Sequence, residues 1–242
     1  MMEWIIATSA VTLGAALQGA LGFGAAVVAI PILALLNPAL VPGPMMLAAF
    51  FLTALTWHRE RHAVVFADVQ WAFLGRLGGI GIGAWTLTML SGGWMELTLG
   101  VIVIVATLPG IRGIHLHPTT PNLIWAGAVS GFMGTTASLG GPAMALVYQN
   151  VSGPRLRGSL AAYFTLGILI TLPVLWGVDR FGPGEIRAGL ILTPGIIVGF
   201  ILSKRFTPYV DRGRTKPAVL LLSGTAGLLL VLRAILHISA GG

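Results

Sequence analysis

The sequence predicts an all-α polytopic membrane protein built of two inverted repeats. Each repeat is a re-entrant helical hairpin, broken at a Gly-rich motif, plus three transmembrane helices, with eight hydrophobic segments in all. Three observations lead there. Of 242 residues, 56% are hydrophobic and 9% charged, against about 25% charged in a soluble domain. The apolar runs are long enough to cross a hydrocarbon layer roughly 30 Å thick as helices, and the alternation of a barrel strand is absent. A glycine-rich break in the first run returns, in weaker form, near the middle of the chain.

The first run, residues 4–36, is interrupted by Gln18-Gly19-Ala20-Leu21-Gly22-Phe23-Gly24, where a membrane helix would ordinarily continue. Its start, Met-Met-Glu-Trp, lacks the basic region of a signal peptide, so no cleavage is expected. Asn37-Pro38 and Pro42-Gly43-Pro44 form a loop, and a second segment, 45–57, ends in the edge cluster His58-Arg59-Glu60-Arg61-His62. A third segment, 69–90, carries Arg76; Ser91-Gly92-Gly93 turns into a fourth, 94–111, closed by Arg112. Residues 112–121, with His115, His117, Pro118 and Pro121, read as a linker and divide the chain into repeats 1–118 and 119–242. From Asn122 the pattern restarts. Gln18-Gly19 with Gly22 answers Ser130-Gly131 with Gly134, Pro31 answers Pro142, and Ala48-Ala49-Phe50-Phe51 answers Ala161-Ala162-Tyr163-Phe164. The offset starts near 112 and drifts upward, which places extra residues in a loop at 204–216.

Charge decides whether the broken runs cross the membrane. With eight single crossings, six basic residues (Arg59, Arg61, Arg112, Arg180, Arg187, Arg233) oppose seven (Arg155, Arg157, Lys204, Arg205, Arg212, Arg214, Lys216), which is no bias. If residues 4–36 and 122–151 are each a hairpin returning to its own side, the split becomes ten against three, the excess expected of cytoplasmic loops. Both termini then face away from the cytoplasm. A hairpin plus three crossings is an odd number of passes, so the second repeat is inverted, an arrangement recurrent in secondary transporters. Half-helices of about 15 residues would span only about 22 Å and stop inside the membrane.

Irregular backbone in hydrocarbon survives only when buried in protein or lining a polar cavity. Each returning half-helix starts just after its motif, near Ala25 and near Gly140, with free amides at the positive end of its dipole. Two such ends facing each other favour a small anion. The candidate contacts are Gln18, Gly19, Gly22, Phe23 and Gly24 in the first motif, and Ser130, Gly131, Gly134, Thr135, Thr136, Ser138, Gly140, Gly141 and Pro142 in the second. Their amide and hydroxyls are neutral donors suited to a weakly held oxyanion. Close packing of small residues is the competing reading of any single glycine. Arg76 is a candidate as an intramembrane arginine, with snorkelling to the interface as its alternative; its counterpart, near Gly189, is uncharged.

Other chemistries lack their residues. There is no cysteine, no His-Glu-x-x-His, no Gly-x-Ser-x-Gly and no acidic residue at the centre of a helical segment, so no enzyme, metal site, cofactor or carboxylate proton relay is expected. His58 and His62 stand four apart without a ligand set and read as a solvated edge. The net charge of +7 sits at segment ends and signals topology rather than nucleic-acid binding. The expected partners are a small anion and the lipid bilayer, with a homodimer left open.

The small-residue first hairpin ending in Pro31, the Ser130-Gly131 and Gly140-Gly141-Pro142 elements, and the duplication over nearly the whole chain resemble the TauE/SafE family of sulfite exporters. The resemblance implies a transporter moving a small sulfur-containing anion such as sulfite, a sulfonate or sulfoacetate out across a bacterial inner membrane; the charge count then makes both termini periplasmic. A passive anion channel and an importer of a related anion are the alternatives.

Overall fold

The computed structural model describes residues 2–90, 116–148, 150–151 and 153–210, with isolated positions within 94–101 and 231–235. The fourth segment of the first repeat, the last of the second and most of the linker lie outside the described residues. Eight helices order the rest: α1 (Met2–Leu21), α2 (Ala25–Leu36), α3 (Gly43–Glu60), α4 (Phe66–Met89), α5 (Thr120–Ala137), α6 (Gly141–Tyr148), α7 (Gly153–Gly177) and α8 (Pro183–Val210). Four of the described helical stretches are long and apolar enough to cross a membrane: Met2–Leu21, Pro38–Ala63, Gly153–Gly177 and Pro183–Thr207.

Both expected breaks are present, and the chain doubles back at each. Gly22 and Gly24 take φ of 91° and 114°, a region that costs an L-residue with a Cβ about 1–2 kcal/mol. The reversal brings Ala25 against Gly14 of α1, where the amide of Ala25 donates to Gln18 Oε1 at 3.1 Å. In the second break Ser138 takes a left-handed φ of 55°, and Gly140 comes back alongside Ser130, whose hydroxyl donates to the Gly140 carbonyl at 2.7 Å. The arms are unequal. α1 has 20 residues, about 30 Å, longer than expected for a half-helix, whereas α2 with 12 and α6 with 8 residues reach only about 18 and 12 Å. Pro142 sits in the first turn of α6, where its missing N–H costs no bond.

Glycine seams set the packing. Ideal side chains at Gly75 and Gly79 of α4 would meet the backbone of Ile124, Ala128 and Phe132, and one at Gly127 of α5 would meet the backbone of Ala72. The two helices therefore approach to backbone contact along a Gly-x-x-x-Gly strip, and they run in the same direction. α1 and α8 repeat the arrangement: Gly199 sits on the carbonyl of Thr12 and the amide of Ala16, just as Gly75 sits on the carbonyl of Ile124 and the amide of Ala128. Each first arm thus zips to a long helix of the other half. Leu74, Leu77, Ile82, Trp85, Ile197 and Ile201 face outward from these seams, as lipid contact requires.

The ends of α3 fix the two breaks. At its C-terminal end, Arg59 Nη2 donates to the Gly19 carbonyl and Arg157 Nη1 to the Ala20 carbonyl at 3.2 Å, capping groups that α1 leaves unpaired where it stops. Both guanidiniums share Glu60 Oε1, at 3.0 and 3.1 Å. At the N-terminal end of α3, Ser138 Oγ donates to the Pro42 carbonyl at 2.8 Å. The breaks lie toward opposite ends of α3. One sequence expectation needs correction here: a loop does not begin at Lys204, because α8 runs to Val210. Buried Ser203 anchors that turn, accepting from Arg59 Nη1 at 3.2 Å and packing on Gly19.

Candidate functional site

The starts of the two returning helices meet. An ideal Cβ on Gly141 would lie 3.3 Å from Phe23 Cβ and 3.8 Å from the Gly24 amide nitrogen, so the N-terminal ends of α2 and α6 converge. Beside them lies a cavity of about 50 Å³, room for a few waters or one small oxyanion. The first tip lines it with Gln18, Gly24 and Ala25 to Val27, and the second with Gly134, Ser138 and Gly140 to Pro142. α3 contributes Met45, Met46, Ala49 and Thr53, α7 contributes Phe164 and Ile168, and α4 contributes Arg76.

Arg76 gives the cavity its charge. It lies mid-helix with 2% of its surface exposed, and its Nε and Nη1 have no hydrogen-bond partner among the described residues. Snorkelling is therefore not its conformation. Its guanidinium lies 4.9 Å from the ring centre of Tyr163 and 6.0 Å from that of Phe164. Its stem crosses Gly131, and its Nε lies over Gly167, which has no side chain to displace it. Among the described residues no carboxylate lines the cavity and none pairs with Arg76. The charge is held by aromatic faces and lines the same cavity as the two converging helix starts.

Of the sequence candidates, Gln18, Gly24, Arg76, Gly134, Ser138, Gly140, Gly141 and Pro142 line one cavity. The others surround it. Phe23 backs Gly141, Ser130 locks the Gly140 carbonyl, and Gly131 seats the stem of Arg76. Gly19 packs on Ser203, Gly22 on Leu156 and Arg157, and Thr135 against Gly83, with its hydroxyl unpartnered among the described residues. The Thr136 hydroxyl returns to the Phe132 carbonyl at 2.8 Å. Met45, Met46, Thr53 and Ile168, with the supporting Gly167, are contacts that sequence reasoning misses. The one signal toward them is the repeat match between residues 48–51 and 161–164, since these matching segments on α3 and α7 both reach the cavity, through Ala49 and Phe164. By the matching seams, the residue that stands to α1 as Arg76 stands to α5 is Phe200, not a residue near Gly189. Phe200 does not line the cavity but lies under the Arg59 guanidinium at 5.1 Å, so of this pair of positions Arg76 alone reaches the cavity.

A model of the sulfite exporter TauE/SafE family matches residues 6–230. The chain belongs to that family. It is accordingly a multi-pass membrane transporter and not an enzyme, in a family of sulfur-anion exporters. No curated protein and no solved structure matches the chain.

Proposed function

We propose that this protein exports a small sulfur-containing anion, sulfite, a sulfonate or sulfoacetate, by alternating access around the cavity between the two hairpin tips. The observation that carries the reading is the buried, unpartnered Arg76 facing the joined starts of α2 and α6. An intramembrane cation with no protein counter-charge is costly, and an anion arriving at helix-start amides relieves that cost. An inside-negative potential contributes about 2.3 kcal/mol per charge per 100 mV in the outward direction, so export proceeds without a coupled ion.

The inverted, re-entrant topology is supported by the contact of Arg157 and Arg59 with the same Glu60 oxygen. Eight single crossings would put those two arginines on opposite faces of the membrane, whereas two hairpins put them together on the cytoplasmic face. The matched seams of α4 with α5 and α1 with α8 support two repeats, 1–118 and 119–242, related by a pseudo-two-fold axis. Both termini are then periplasmic and the membrane is the bacterial inner membrane.

The test is flux of labelled sulfite, taurine and sulfoacetate in proteoliposomes, with Arg76→Gln and Gly141→Leu as site variants. Transport of at least one anion by the wild type, lost in both variants, is expected. Equal flux in wild type and Arg76→Gln would overturn the site.

A further inference from the structure

The cavity wall has one net charge and spends none of it on the protein. Arg76 is the charged residue among those lining the cavity, and it reaches no carboxylate among the described residues. Tyr163 makes this arrangement stable: its ring lies under the guanidinium at 4.9 Å, and its hydroxyl is tied to the Gly127 carbonyl at 3.2 Å, so it cannot swing away. Gly167 leaves the space into which Nε fits. An aromatic face holds a cation without cancelling its charge. The converging helix starts add positive potential but no net charge, and one of the amides at the first tip, that of Ala25, is already taken by Gln18.

We propose that the site is selective for a singly charged small oxyanion: the cargo is the missing counter-ion of Arg76, and one negative charge makes the loaded site neutral. A dianion would leave one charge uncompensated inside an apolar cavity, which is unfavourable, and the cavity of about 50 Å³ leaves little room for water to offset it. This inference rests on the anion-site reading above and narrows it, favouring a monoanionic sulfonate or hydrogen sulfite over sulfoacetate.

Calorimetric titration of the purified protein in nanodiscs with methanesulfonate, sulfate and dimethyl sulfone tests it, because the three are close in size and carry one, two and no negative charges. Methanesulfonate is expected to bind, sulfate at least about tenfold more weakly, and the sulfone not measurably. Arg76→Gln should abolish the preference for methanesulfonate over the sulfone, while Tyr163→Phe, which keeps the ring, should retain the wild-type ranking. Sulfate binding as tightly as methanesulfonate would overturn the charge selectivity while leaving an anion site intact. Failure of all three to bind would bring down the anion-site reading together with this inference. The wild-type ranking decides the matter even if a variant fails to fold.

Discussion

Arg76→Met is expected to make the empty protein more stable and inactive at once. The substitution keeps an unbranched stem in the channel over Gly131 and Gly167 and removes two buried donors, Nε and Nη1, that have no partner among the described residues. A buried unsatisfied donor costs about 1–3 kcal/mol, so the two together cost roughly 2–6 kcal/mol. Against this stands the attraction of the guanidinium to Tyr163 and Phe164, about 2 kcal/mol for a desolvated pair and partly replaced by contact of the Met sulfur with the same rings. The balance is a gain of up to about 4 kcal/mol, or several degrees in Tm for a chain of this size. Thermal unfolding in anion-free detergent solution measures the gain. Adding anion should raise the Tm of the wild type, by about 2.7 kcal/mol of stabilisation at a hundredfold excess over Kd, and should not move the variant. A lower Tm for Arg76→Met without anion would mean that the guanidinium is structurally paired, and the reasoning from an unspent charge would fail.

The seams give a built-in contrast: Gly79→Leu drives a side chain into the backbone of Ala128 and Phe132 and should cost at least about 3 kcal/mol, read as loss of monodisperse protein. Gly78→Ala and Gly81→Ala, with nothing within 4 Å, should be neutral or gain up to about 1 kcal/mol from helix propensity. Gly24→Ala enters open space, so its cost should be backbone strain alone, about 1–2 kcal/mol by thermal unfolding. Glu60→Gln removes the shared partner of Arg59 and Arg157; with Glu60 15% exposed, a loss of about 1–3 kcal/mol is expected, below the range for a fully buried pair. Single cysteines at Asn37 and Val151, in this cysteine-free chain, should label from opposite faces of the membrane, and labelling of both from one face would contradict the hairpin topology.

The two breaks are legible in the sequence because a cluster of glycines weakens an apolar helix by local chemistry alone, whatever packs around it. That Arg59 and Arg157 come together on Glu60 is in keeping with the charge count for a different reason, since the distribution of basic residues acts on sequence regardless of packing. What the sequence does not disclose is which glycines face a ligand and which face a helix. Gly131 and Gly134 are one turn apart on α5, yet the first seats the Arg76 stem and the second lines the cavity. That distinction depends on the rotation of α5 about its axis, which is set by α4 and therefore by residues some fifty positions away. The same is true of Arg76. Its place within an apolar segment is visible from hydropathy, but its lack of a carboxylate partner among the described residues, and its seat on Tyr163 and Gly167, require the packing of α4 on α7, and the match of Phe200 to it emerges only from backbone contacts. Lys204 and Arg205 mark a membrane edge by their charge, but charge does not stop a helix, and α8 continues past them to Val210.

The crossed pairing of α1 with α8 and of α4 with α5 bears on how the polypeptide reaches its native state. Neither half can cover its own glycine strips, since the partner of each strip belongs to the other half. A ribosome that has released only the first half into the bilayer has made α1 and α4 with their most closely fitting neighbours still to come. Severing the chain between residues 90 and 116 should thus yield fragments that are inert alone and regain transport when co-expressed, each completing the other. The two halves of the chain are interlaced rather than adjoining, and the cavity belongs to neither.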